Sequence, residues 1–129
     1  MATRTAKLPL ESLFRALSDR TRLRILNLVK DQEVCVCHFA EVFGTNQPKI
    51  SRHLAYLRRA GLVHARRDGK WMHYSLLKPA STAAARILHD SLSLLQQDEQ
   101  IARDSKKLEK VCCMVTPLVN IRGAVGKPA

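Results

Sequence analysis

The stretch from Thr45 to Ser75 constrains this chain most, because it reads as a helix marked at both ends followed by a hairpin marked at its turn. Thr45 or Asn46 can cap the helix start, Pro48 falls in the first turn where a missing N–H is harmless, and Gly61 suits a left-handed stop. Ile50, Leu54 and Leu57 recur at helical spacing and form one buried stripe. At about 100° per residue, Lys49, Arg52, Tyr56 and Arg59 project from the opposite side. Beyond Gly61, two alternating runs, Val63–Arg67 and Lys70–Ser75, flank Asp68-Gly69, a strong two-residue turn signal.

A charged helix face is usually only a solvated one, so sign matters here. Lys49, Arg52, Arg58, Arg59, Arg66, Arg67 and Lys70 are opposed within the stretch by Asp68 alone. One-sided charge of this kind predicts a nucleic-acid partner. Gln47, Ser51 and Arg52 are side chains that can hydrogen-bond base edges, and the free N–H groups of a helix start favour phosphate. Lys49, His53, Arg59, Arg66, Arg67 and Lys70 are placed to meet backbone phosphates. The pattern predicts a recognition helix followed by a basic wing, reading double-stranded DNA.

Composition agrees without deciding. The chain has 129 residues with 22 Lys and Arg against 11 acidic residues, a net charge of +11 that favours polyanions but does not separate DNA from RNA or anionic lipid. No apolar run approaches the roughly 20 residues needed to cross a bilayer, and the start lacks the apolar core of a secretory signal. We expect a cytoplasmic protein with no membrane partner. Four cysteines in that setting suit thiolate ligands or redox sensors better than structural disulfides. No Ser/His/Asp, paired-carboxylate or phosphate-loop arrangement occurs, so no enzyme is expected.

The expected fold is mainly α with a small β-hairpin: a winged helix-turn-helix that dimerises through its terminal helices. Residues 1–8 read as a flexible arm and 9–78 as the DNA-binding domain. Its first helix turns Leu10, Leu13, Phe14 and Leu17 inward, and a second, capped by Asp19, buries Leu23, Ile25, Leu26 and Val29. A third spans Val36–Phe43 and stops at Gly44. Residues 79–111 form one or more helices, with Leu88, Leu92 and Leu95 making a stripe that resumes at Ile101, Ala102, Leu108 and Val111. Such a stripe needs a partner surface, and two recognition helices must sit roughly 34 Å apart to read successive major grooves. Residues 112–129 read as a cysteine-containing tail.

The cysteines fall in two pairs, Cys35-Val36-Cys37 and Cys112-Cys113. In a regular helix, residues i and i+2 point about 160° apart, so Cys35 and Cys37 can grip one ion only where the backbone is unwound or extended. An ion drawing both sulfurs together would distort the helix beside the recognition helix and change DNA affinity. Adjacent cysteines are strained as sole chelators, and Cys112 or Cys113 is better read as a donor to a shared site. Thiolates select soft ions. Packing is the plain alternative for both pairs. Among the histidines, His38 could donate a nitrogen beside Cys37, whereas His89 has no helical partner for a zinc face.

The segment E-V-C-V-C-H-F followed by T-N-Q-P-K-I-S-R-H-L-A-Y-L-R-R-A-G-L-V and a D-G-K wing closely resembles the ArsR/SmtB family of metalloregulatory repressors, from about Leu10 to Ser75. The resemblance implies a homodimer that leaves its operator when a metal or metalloid binds, with Cys35 and Cys37 as ligands. Where arsenite sensors of the family carry a third Cys, this chain has Ala40, and Arg20 stands where relatives usually have Pro. Trivalent arsenic and antimony want three sulfurs, so another must come from Cys112 or Cys113, within or across subunits. As(III) or Sb(III) is the expected inducer. Cd(II), Pb(II), Zn(II) or thiol oxidation is the alternative signal, and a non-sensing basic nucleic-acid-binding protein the alternative from another class.

Overall fold

A computed structural model describes residues 10–120, with side chains through Val111. The arm expected at residues 1–8 and the end of the chain from residue 121 lie outside the described residues, as do the side chains of Cys112 and Cys113. Six helices and a small sheet follow in order: α1 (Leu10–Leu17), α2 (Arg20–Val29), β1 (Val34–Cys35), α3 (Val36–Phe43), α4 (Gln47–Arg59), β2 (Val63–Asp68), β3 (Trp71–Leu76), α5 (Thr82–Leu95) and α6 (Glu99–Asn120).

Local chemistry sets these boundaries. Asp19 caps α2 by accepting from the Arg22 N–H at 3.0 Å, and Asn46 rather than Thr45 caps α4, accepting from the Lys49 N–H at 2.9 Å. Gly44 ends α3 at φ 66°, and its N–H returns to the Ala40 carbonyl. Together these two residues make the tight turn between α3 and α4. Ser81 caps α5, and Asp98 accepts from the N–H groups of Gln100 and Ile101 at the start of α6. The apolar faces then close around Leu13, Ile25, Leu26, Phe39, Ile50, Leu54, Leu57 and Leu62, with Leu88, Leu92 and Leu108 added from the last two helices.

The structure departs from expectation at three points. The hairpin gains a third strand: β1 pairs antiparallel with β3, giving the order β1-β3-β2. A two-residue strand leaves almost no periodicity to read. The segment 79–111, expected to hold one helix or more, is divided at Gln96–Asp98 into α5 and α6, so this is no departure. α6 itself continues to Asn120, so the backbone at Cys112 and Cys113 is helical where a tail was expected. Finally, Leu10 and Phe14, expected inward, are 63% and 49% exposed. On α1 the buried arc is centred on Leu13 and Ala16, and successive 100° steps carry Leu10 and Phe14 to its edge.

Candidate thiol site and DNA-reading surface

Cys35 occupies the junction between β1 and α3. Its backbone is extended (φ −77°, ψ 146°) while Val36 and Cys37 already belong to the helix. This is the condition that lets an i, i+2 pair converge. The Cys37 Sγ lies 3.2 Å from the Cys35 Sγ and donates its S–H. Two thiolates on a tetrahedral ion at about 2.3 Å each sit ~3.8 Å apart, so the pair is already close to a chelating spacing. The Cys37 S–H holds the buried Cys35 thiol down to about 7, with nearby backbone N–H groups adding to the effect. Losing that shared proton is correspondingly harder for Cys37, whose own titration is pushed up. The pair therefore holds one negative charge readily and the second only with a cation between the sulfurs.

Two sulfurs do not complete a site. Among the described residues no three His, Cys, Asp or Glu side chains gather around one point. His38 is half-buried, and burial followed by repulsion from His73 lowers its proton affinity. Asp98 binds Arg20, Asp104 binds Arg24, and Ser105 accepts from Asn27, so α6 runs alongside α2 in the same direction. Leu108 and Glu109 line a shallow cleft with Leu28, Lys30, Asp31 and Gln32, at the start of the loop leading to Cys35.

Most of the residues expected to meet DNA are exposed. Gln47, Lys49, Ser51, Arg52 and Arg59 are exposed on α4, and Arg67 and Lys70 are exposed on the wing. Two residues differ. His53 is half-buried, 3.7 Å from the Asp19 carboxylate, and burial lowers its proton affinity. Arg66 is held by Glu33 through two hydrogen bonds of 2.9 and 2.7 Å. Asp68 is thus not the sole counter-charge. Glu33 lies outside the basic stretch in sequence and reaches it because β1 joins the sheet. Its own titration falls below the usual carboxylate range, first through the bond to Arg66.

Sequence reasoning did not assign roles to Arg58, Tyr74 and Trp71. Ser51, Ala55, Arg58, Arg59 and Tyr74 line an open cleft of about 410 Å³ between α4 and the sheet. Trp71 is 48% exposed at the wing tip, with the Lys70 ammonium 5.8 Å from its ring centre. Tyr56 carries the Arg22 guanidinium 4.2 Å from its ring centre and supports α4 rather than facing outward alone. No helix among the described residues is long and apolar enough to cross a membrane.

Known proteins place this architecture. Residues 19–65 match the model of the bacterial regulatory protein arsR family. The chain is 43% identical over 94 residues to the arsenical resistance operon repressor of Escherichia coli (strain K12), covering 72% of this chain and 80% of that protein. Among solved structures, the AntR antimony-specific transcriptional repressor matches with TM-score 0.56 and 30% identity, covering 70% of this chain and 80% of that one. A homodimeric winged helix-turn-helix DNA-binding domain from Mycobacterium bovis matches with TM-score 0.56 and 30% identity, over 68% and 79% of the two chains. The chain therefore belongs to the ArsR family, as a DNA-binding transcriptional repressor with a winged helix-turn-helix and not an enzyme.

Proposed function

We propose that this repressor is a cytoplasmic homodimer that leaves its operator when trivalent arsenic or antimony binds Cys35, Cys37 and a third thiolate from Cys112 or Cys113. The observation that carries the reading is the 3.2 Å separation of two sulfurs at the strand-to-helix junction immediately before the helix-turn-helix. Gln47, Ser51 and Arg52 read bases, while Lys49, Arg58, Arg59, Arg67 and Lys70 hold phosphates. His53 acts by bracing α4 against Asp19. The metalloid supplies only a soft centre that prefers three sulfurs. The chain's part is to present the thiols, gain strain at the head of α3 when they are drawn onto it, and pass that strain to α4.

Dimerisation is supported by the exposed apolar side chains of Leu10, Phe14 and Leu94 on α1 and α5, which a lone domain leaves in water. The homodimeric relative supports it further.

Release of a fluorescent operator duplex by arsenite, antimonite and cadmium, in the wild type and four single Cys→Ser variants, tests the proposal. Loss of release in Cys35→Ser and Cys37→Ser is expected, with release by cadmium weaker than by the metalloids. If those two variants respond normally, the site is misallocated. Thiol oxidation is the second reading, favoured by the low-lying Cys35 thiolate beside a neighbouring thiol. Peroxide would take Cys35 to a sulfenic acid, and Cys37 would condense with it to a disulfide, expelling water. Counting free thiols after mild peroxide separates the two.

A further inference from the structure

The Glu33–Arg66 pair is not needed to explain DNA binding or thiol chemistry, yet it spans the two. Cys35 pairs with His73 on β3, and His73 pairs in turn with Arg66 on β2. Directly paired residues project from the same face of a sheet, so Cys35, His73 and Arg66 form one row. Strands lie about 4.8 Å apart, which puts the Cys35 backbone roughly 10 Å from that of Arg66. Glu33, two residues before Cys35, projects from the same face and crosses over β3 to bind Arg66 with both carboxylate oxygens.

We propose that Glu33 is a positioning residue that couples the thiol pair to the wing. The inference rests on the reading of Cys35 and Cys37 as the inducer site. β1 is only two residues long, so displacement of Cys35 moves Glu33 with it. The bidentate contact transmits that movement to Arg66 and tilts the wing away from the course it takes along DNA. This route lies in the sheet and is separate from distortion of α3. An exposed ion pair contributes little to stability, so its removal leaves the fold intact while cutting the link.

The test uses the full chain, sodium arsenite, and a labelled duplex selected by the wild-type protein from a random pool. Operator Kd is measured with and without arsenite for the wild type, Glu33→Gln and Glu33→Asp, together with thermal unfolding and protection of thiols by arsenite. Glu33→Gln should unfold at the wild-type temperature and protect its thiols normally. Its ratio of Kd values should nevertheless fall at least about threefold from a wild-type ratio in the usual allosteric range of about 5 to 150. Glu33→Asp, which keeps the charge, should recover part of that ratio. An unchanged ratio in Glu33→Gln, with normal release of the wild type, overturns the role of Glu33 alone. Failure of arsenite to release the wild type overturns the inducer reading, and this inference with it.

Discussion

Arg24 grips Asp104 through two hydrogen bonds of 2.7 and 2.9 Å, and the same guanidinium lies 4.2 Å from the Phe43 ring centre. The contact ties α2, α6 and the end of α3 into one unit. Asp104 is almost wholly buried, with its side chain 4% exposed against 16% for Arg24. Removing one partner of such a pair leaves an uncompensated charge, so Asp104→Ala should lower unfolding free energy by about 3 kcal/mol in urea titration. The double replacement Arg24→Met, Asp104→Leu should recover most of that loss, because packed apolar groups can substitute for a buried ion pair. If the single variant costs nothing, α6 is not anchored here.

The turn before the recognition helix depends on one backbone conformation and one cap. Gly44 sits at φ 66°, and a Cβ built there meets nothing within 4 Å. Gly44→Ala therefore adds left-handed strain without a clash, about 1 kcal/mol. Asn46→Ala removes the acceptor for the Lys49 N–H and should cost about 1 kcal/mol by itself. The two act on the same turn, so a double variant measured by thermal unfolding should deviate from additivity.

That turn was legible in the sequence because Gly and Pro act through their own backbones and Asn through a side-chain cap only three residues away. The same holds for the stripe of Ile50, Leu54 and Leu57, all fully buried. What the sequence did not disclose depends on contacts between distant segments. Glu33 and Arg66 are separated by 33 positions and meet only through a two-residue strand that carries no period. Asp104 reads as a surface acid on a charged helix until Arg24, 80 positions away, is folded against it. The convergence of Cys35 and Cys37 was conditional on an extended backbone, and the condition is met by β1, which was not foreseen.

The exposed apolar edge on the terminal helices gives a prediction about assembly. Leu94 is 68% exposed and Leu10 63%, with Phe14 beside Leu10 on α1. Phe14→Glu and Leu94→Glu should each shift sedimentation from dimer toward monomer while leaving the helix content unchanged. Operator affinity should fall by about tenfold or more, since a monomer reads one half-site instead of two. A monodisperse dimer in both variants would place the interface elsewhere.

The thiol pair predicts how stability and ionisation move with pH. Cys35 ionises near 7 in the fold, below its ordinary value of 9.0, because the Cys37 S–H donates to the thiolate. A group whose folded value is depressed contributes stability that is complete above its unfolded value and lost as pH falls through the folded one. Stability should therefore rise between about pH 7 and pH 9 on account of Cys35. Cys37 has the opposite sign: its titration is raised, so above pH 9.0 the unfolded chain loses a proton that the folded pair retains, and stability falls. Thiolate ultraviolet absorbance should accordingly show one sulfur ionising near neutrality in the Cys112→Ser, Cys113→Ser background. Adding Cys37→Ala removes the donor and leaves burial to dominate, so the Cys35 transition should move upward. If Cys35 still titrates near neutrality without Cys37, the shared proton does not set its ionisation.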